Sequence, residues 1–156
     1  MKTIFTVGTI LMGAAMMQMP STPPIKMGLW EATFTGTVTM DGKPAPTTPG
    51  VTTGKSRSCY TPQSWTGAFG SDSQRGCKRV NETWANRKYS FDLECPNMHG
   101  TGHIEATFAG EESGHGSVHI EMEPPGHHMV MDRTFDLKFV SADCGAVTPE
   151  HPVMVK

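Results

Sequence analysis

The chain has 156 residues, which is enough for one domain with a single core. Its 13 basic and 15 acidic residues leave a net charge of −2, which excludes the basic surplus of nucleic-acid-binding proteins. Apolar residues make up only 37% of the chain, and the 17 Gly and 12 Pro favour strands and turns over helices.

The first residues have the pattern of a secretory signal peptide. MKTIFTVGTILMGAA begins with one Lys, continues with an apolar run and ends on small residues. The run is too short for a transmembrane helix, so we expect no integral span after signal cleavage; an uncleaved apolar anchor is the alternative. We predict a signal peptide and short linker over residues 1–20, a disulfide-linked antiparallel β domain over 21–145, and a flexible C-terminal tail over 146–156.

Strict alternation of apolar and polar residues begins at Trp30 and predicts a strand with one buried and one hydrated face. The apolar positions of this strand are Trp30, Ala32, Phe34, Val38 and Met40. DGKPAPTTPG then predicts a loop, and a second strand is expected over residues 53–60. In TPQSWTGAF, Thr61 as N-cap and Pro62 as first helical residue predict one short helix.

CKRVNETWANRKYSFDLEC predicts a hairpin bounded by Cys77 and Cys95. If these cysteines lie opposite each other, the pairing centres on Asn86, which tolerates a left-handed turn, and their Cα atoms lie within reach of a disulfide. Val80 and Trp84 have the wrong parity for this register. We therefore expect a β-bulge near residues 78–79 that returns both side chains to the core face.

GTGHIEATFAGEESGHGSVHIEME predicts a second hairpin, in which Ile104 pairs with Ile120 across a turn at residues 110–114. HHMVMDRTFDLKFVSADC predicts a long final strand that leads to Cys144. Together these segments predict an all-β protein, an antiparallel meander of about seven strands. We expect it to curl into a strongly curved sheet or a small open barrel, with one short helix.

Several of these segments resemble a bacterial family known as domain of unknown function 3617. The resemblance covers residues 25 to 145 and rests on the opening IKMGLWE, the hairpin bracketed by cysteines, the GTGHIEATFAG segment and the closing Asp143–Cys144. Met27 stands where such sequences usually carry Pro. The resemblance implies a small exported β-protein and no catalytic residues, because the family has no assigned activity.

The four cysteines lack CxxC spacing, which argues against a zinc ribbon or thioredoxin-type motif and favours two structural disulfides. Three pairings are possible. Strand geometry supports Cys77 with Cys95, which leaves Cys59 with Cys144. Disulfides persist outside the cytoplasm, so the protein is expected to be periplasmic or secreted.

Seven His and twelve Met suggest a metal site, because imidazole and thioether groups are ligands for copper. The segment HHMVM supplies the candidate ligands His127, His128, Met129 and Met131; core filling is the alternative interpretation of the two methionines. In the second hairpin, the expected register pairs His103 with Glu121 and His119 with Glu105. These two pairs are either ordinary partners on the hydrated face or a surface metal site.

Catalytic signals are weak, since GHGS is not a nucleophile elbow, no phosphate-binding loop precedes a helix, and disulfides consume the thiols. We expect a non-enzymatic protein without a cofactor. Its function would be to bind an apolar or amphiphilic ligand or an envelope protein; the alternative is a periplasmic copper protein. An ordinary core is the other interpretation of the candidate ligand-binding aromatics, which are Trp30, Phe34, Trp84, Phe91 and Phe108.

Overall fold

The computed structural model describes residues 24–46, 49–66, 76–149 and 151–155; the predicted signal peptide lies outside these ranges. The described residues form one sheet of nine antiparallel strands. They are β1 (Gly28–Met40), β2 (Lys43–Pro44), β3 (Thr53–Tyr60), β4 (Lys78–Ala85), β5 (Lys88–Cys95), β6 (Gly100–Phe108), β7 (Ser113–Met122), β8 (Met129–Ser141) and β9 (Val153–Val155). The spatial order is β4-β5-β6-β7-β8-β1-β3-β9, and β2 pairs only with β1.

The predicted all-β antiparallel fold is confirmed, and the seven longest strands are the seven that the sequence predicts. The two additional strands, β2 and β9, have two and three residues. β9 lies within the segment 146–156 that the sequence predicts as a C-terminal tail, and its backbone pairs with β3. The sheet stays open, since β4 and β9 form its two edges.

The short helix expected after Thr61 is wrong for residues 61–66, which form turns. Thr61 does cap this segment, because its Oγ1 accepts a hydrogen bond from the Ser64 amide. Ser64 Oγ accepts in return from the Thr61 amide, and such local side-chain bonds compete with a continuing helix. The rest of the expected helix lies outside the described residues. Within them, the one helical segment is a 3-10 turn at Pro96–Met98.

The β4–β5 hairpin has the expected bulge at a different place. The register shifts between Val80 and Thr83, where Asn81 adopts a left-handed backbone, instead of near residues 78–79. The shift returns Trp84 to the core face, but Val80 pairs with Asp92 and stays on the opposite face, which corrects that part of the prediction. The hairpin closes through a two-residue turn with positive φ at Asn86 and Arg87, the type that matches strand twist.

The β6–β7 hairpin has the predicted faces but not the predicted register. Ile104 pairs with Val118 instead of Ile120, because the ladder continues to Phe108 and Gly114 and leaves a turn at residues 109–112. A slip of two residues keeps every side chain on the same face, so alternation in the sequence cannot distinguish the two registers. The slip places His103 opposite His119.

One face of the sheet, which we call the inner face, carries the core. Its completely buried members include Trp30, Tyr89, Phe91, Ile104 and Phe108. The Trp30 and Phe108 ring centroids lie 6.4 Å apart although β1 and β6 are separated by two strands, a distance of about 14 Å in a flat sheet. The sheet therefore bends towards its inner face. Trp65, from the turn after β3, packs across this bend against Trp84 and Tyr89.

β7 makes room for the aromatic rings by carrying glycine at two inner-face positions. A methyl group added to Gly114 would lie 2.9 Å from Cδ1 of Phe108, and one added to Gly116 would lie 2.8 Å from Cε2 of Phe135. The rings of the two neighbouring strands thus occupy the space above β7 that side chains would otherwise fill.

Both predicted disulfides have sulfur atoms at bonding distance, 1.99 Å for Cys59–Cys144 and 2.06 Å for Cys77–Cys95. The first joins β3 to the segment after β8, so it spans strand β1, which lies between β3 and β8. The second joins the residue before β4 to the last residue of β5.

We predict that opening the long disulfide loop destabilises the protein more than opening the short one. The separations are 85 and 18 residues, and the chain-entropy relation gives about 4.6 and about 3.2 kcal/mol respectively. The Cys59→Ala/Cys144→Ala variant should therefore unfold at a lower urea concentration than the Cys77→Ala/Cys95→Ala variant, as followed by tryptophan fluorescence. Equal losses, or a larger loss for Cys77→Ala/Cys95→Ala, would contradict the loop-length argument.

A second prediction concerns the bare strand β7. Gly116→Ala should lower the free energy of unfolding by about 1–3 kcal/mol, because the methyl group overlaps the Glu105 carbonyl oxygen on β6 and the Phe135 ring on β8. Ser117→Ala, on the opposite face of the same strand, is the control and should change it by less than about 0.5 kcal/mol. Urea denaturation of both variants checks this, and a neutral Gly116→Ala would contradict the close approach of both the Glu105 carbonyl and the Phe135 ring to β7.

Candidate ligand-binding groove

A groove lies on the inner face where the aromatic core ends, across strands β3, β1, β8 and β7. It has a volume of about 160 Å³. Its apolar lining comes from Ala32, Phe34, Val118, Phe135 and Leu137, and its polar lining from Ser56, Ser58, Tyr60 and Arg133. The groove is therefore mainly apolar, with hydroxyl groups on the β3 side and one cation.

Arg133 is the unusual residue of the groove, because alternation along β8 places a charged side chain on the inner face. Its guanidinium carbon lies 4.5 Å from the ring centroid of Phe34, within the range of a cation–π contact. One terminal nitrogen donates a hydrogen bond to the Val51 carbonyl. The Nε–H is buried and has no hydrogen-bond partner among the described residues.

The electrostatics of Arg133 follow from this placement. Burial lowers the pKa of its guanidinium from the ordinary value. No ion pair joins Arg133 to a carboxylate among the described residues, unlike Arg57, which bonds Glu31 at 3.0 Å on the other face. Arg133 is thus a partly desolvated cation whose charge the described part of the chain leaves uncompensated.

Two glycines shape the groove around Phe34 and Arg133. Gly36 is the partner of Arg133 on β1, and a methyl group there would lie 3.1 Å from Arg133 Cβ. Gly54 is the partner of Phe34 on β3, and a methyl group there would lie 2.9 Å from Phe34 Cζ. The Phe34 ring therefore lies over Gly54, close to the sheet, and β8 closely approaches β1 at Gly36.

Of the five aromatics that the sequence offers as ligand-binding residues, Phe34 lines the groove. Trp30, Phe91 and Phe108 are 1%, 0% and 2% exposed and fill the core. Trp84 is half-buried and packs between Trp65 and Phe108 at ring distances of 5.6 and 5.8 Å. The sequence prediction missed Arg133. Alternation could have found it, because Arg133 lies two residues before Phe135 on β8 and therefore on the same face of the strand.

On the other, outer face, His103 and His119 lie opposite each other between two aspartates. His103 Nδ1 lies 2.6 Å from Asp92 Oδ1, and His119 Nδ1 lies 2.7 Å from Asp132 Oδ1. The expected cross-strand pairs with Glu121 and Glu105 are wrong. Each glutamate lies instead beside the histidine of its own strand. Glu121 is 3.3 Å from His119 Nε2, and Glu105 is 3.7 Å from His103 Nε2.

These contacts stabilise charges on the outer face. The hydrogen bond to Asp132 is the main reason that the pKa of His119 lies above its ordinary value of 6.5. The hydrogen bond from His103 lowers the pKa of Asp92. Within the described ranges, no three His, Cys, Asp or Glu side chains converge on a point suitable for a metal ion.

The His and Met side chains of the HHMVM segment do not form one cluster. His127 Nδ1 lies 2.8 Å from Asp41 Oδ2, and the His128 amide donates to Asp41 Oδ1 at 2.8 Å. Both histidines are exposed at the connection between β7 and β8, whereas Met129 and Met131 are half-buried on the inner face of β8. Met131 Sδ lies 3.7 Å from a terminal nitrogen of Arg133.

A wider depression of about 550 Å³ lies on the outer face. Thr35, Thr37, Ser117, His119, Asp132 and Thr134 contribute to its lining. It is more open to solvent than the inner groove, and its histidine and aspartate already bond each other. We therefore regard the inner groove as the candidate site.

The structure thus defines a disulfide-linked protein with one open antiparallel sheet. Residues 25–144 match the family described as protein of unknown function, DUF3617, so the chain belongs to that family, as the resemblance implied. Comparison with curated proteins and with solved structures gave no match. Among the described residues, none of the helical segments has the length and apolar character needed to cross a membrane.

We predict that the Asp132–His119 pair is visible in the titration of His119. Asp132→Asn should lower the His119 pKa towards 6.5, because the neutral amide no longer stabilises the imidazolium. The raised pKa means that the pair stabilises the fold below about pH 6.5 and that this contribution disappears as the pH rises through the folded pKa. NMR titration of the imidazole resonances measures the change.

Asp136→Asn is the matched control, because it removes the same charge from the same face of β8 without removing this hydrogen bond. His119 is 48% exposed, so the pair should contribute no more than about 0.5 kcal/mol to stability. An unchanged His119 pKa in Asp132→Asn would show that the contact does not persist in solution.

Proposed function

We propose that this protein is an exported, non-enzymatic binding protein that holds a small amphiphile with one anionic group in the inner-face groove. The observation that carries the proposal is Arg133, a partly buried cation beside an apolar surface, whose Nε–H has no partner in the part of the chain that the structure describes. The lining of the groove combines a few polar groups with a larger apolar surface, which is the usual composition of small-molecule sites.

The anionic group of such a ligand would accept charge-assisted hydrogen bonds from Arg133. A carboxylate or similar group matches the planar guanidinium, and these bonds are roughly twice as strong as neutral ones. The same contact would compensate the desolvation that lowers the Arg133 pKa. Ser56 and Ser58 line the groove and offer further hydroxyl donors.

The apolar part of the ligand would lie against Phe34, Phe135 and Leu137. The groove volume of about 160 Å³ resembles cavities that hold one benzene ring, about 150 Å³. A single aromatic ring or a short alkyl segment fits that space, and a longer chain would extend into solvent. This size favours a small amphiphile over a complete lipid.

Two observations support the compartment and the absence of catalysis. The pairs Cys59–Cys144 and Cys77–Cys95 are at disulfide distance, and disulfides persist mainly in exported proteins. The described residues that line the groove include no carboxylate, imidazole or thiol to serve as a general acid–base group or nucleophile. The signal peptide remains a prediction from the sequence.

Octanoate and octylammonium provide a direct test, because they share a chain and differ in the sign of the charge. Octanoate should bind, and Arg133→Gln should weaken it by about tenfold or more, the equivalent of one charge-assisted hydrogen bond. Arg57→Gln is the control, since Arg57 bonds Glu31 on the outer face and should leave octanoate affinity unchanged. Isothermal titration calorimetry and amide NMR shifts at the groove provide the measurements.

Several outcomes would overturn the proposal. These are equal binding of octanoate and octylammonium, octanoate binding that is insensitive to Arg133→Gln, or amide shifts confined to the outer face. Native mass spectrometry of the protein purified from the bacterial envelope adds an independent result. An adduct displaced by octanoate supports the proposal, whereas co-purification of a protein partner that octanoate does not displace opposes it.

A further inference from the structure

Three methionines lie side by side at the end of the inner face that is remote from Trp30. Met40 on β1 is the register partner of Met129 on β8, and Met129 is the partner of Met122 on β7. Partners on adjacent antiparallel strands have Cα atoms about 4.5–5.5 Å apart and point to the same face. The three methionine side chains therefore leave the backbone next to each other on the concave side of the sheet. We call Met40, Met122 and Met129 the methionine row.

Core filling explains the methionine row only in part. Met122 is 8% exposed, but Met40 and Met129 are half-buried and neither packs against the buried core cluster. Met27 and Met98, by contrast, do pack against that cluster. Two residues of the row are thus only half-buried and lie beyond the edge of the core.

A separate contact holds the row together. The Asp41 amide donates to the His128 carbonyl at 2.7 Å, and the Asp41 carboxylate accepts from the His128 amide at 2.8 Å. These residues follow Met40 and precede Met129, so the contact fixes the two chain segments at the row. In this structure Met122 Cγ lies over Gly100, and a rotation of its unbranched side chain brings the sulfur towards Met129 at low cost.

We propose that the methionine row binds a soft monovalent metal ion, with Cu(I) as the chemical class, through the three thioether sulfurs. Thioether ligands favour soft ions, and three of them on a concave surface provide trigonal coordination. This set differs from the combination of His127, His128, Met129 and Met131 that the sequence suggests. Thioethers carry no proton, so the affinity of the row is independent of pH between about 5 and 8, unlike that of an imidazole site.

Ag(I) is the appropriate probe, because it is a soft monovalent ion that needs no reductant and leaves the disulfides intact. The full-length protein is labelled with 13C at the methionine methyl groups, and NMR spectra are recorded during titration with Ag(I). The methyl signals of Met40, Met122 and Met129 should shift together at one equivalent. Single Met→Leu variants assign the signals and should each weaken Ag(I) binding at least about tenfold.

Met154→Leu is the matched control, because Met154 is 55% exposed on β9 and lies outside the row. It should leave Ag(I) affinity unchanged, as should His127→Ala/His128→Ala at pH 5.5 and pH 7.5. Near-UV circular dichroism identifies any variant that loses its fold, and the shifts in the unmodified protein do not depend on the variants.

The proposal is overturned if the three methyl signals do not shift, or if Met40→Leu and Met129→Leu retain full affinity. It is also overturned if the histidine variant loses binding or if affinity falls at the lower pH, since either result would assign the ion to imidazole ligands. Cu(I) adducts in anaerobic native mass spectrometry, absent from the Met129→Leu variant, would extend the result from Ag(I) to copper.

Discussion

Phe108 lies between Trp30 and Trp84, at ring distances of 6.4 and 5.8 Å, and this contact joins two parts of the sheet that are separated along the strand order. A chain with 37% apolar residues cannot cover both faces of a wide sheet. It can exclude water from one face if the sheet bends and the rings of distant strands meet. The glycines of β7 permit the bend, and Trp65 packs against the neighbouring rings of Trp84 and Tyr89.

The same bend determines where the inner face stays open. Aromatic rings fill the region between Trp30 and Tyr89, whereas farther along β1 and β8 the side chains become smaller or flexible. Arg133 lies at this boundary, with the groove on one side and Met131 on the other. Both proposed sites are therefore on the part of the concave surface that the core does not fill, and they use different chemistry, a guanidinium in one and thioethers in the other.

Much of this architecture was predictable from alternation alone. β3 has the bounds that the sequence predicts, Thr53–Tyr60. The aromatic positions of β5, β6 and β8 face the core as expected. The β6–β7 register was not predictable, because a slip of two residues preserves the face of Ile104. The candidate site was predicted only through Phe34. Trp30, Phe91 and Phe108 show the same alternation as Phe34, but they fill the core. Alternation within one strand does not indicate which other strands will cover its side chains.

The sequence by itself determined the strand faces and favoured the pairing of Cys77 with Cys95, because period-two alternation and hairpin geometry are local properties. Tertiary structure decided that β9 pairs with β3, that His103 lies opposite His119, and that Met40, Met129 and Met122 form one row. Each of these results depends on the register between strands. Register is set by the total packing of the bent sheet and by the lengths of its turns, and no single segment of the chain contains that information.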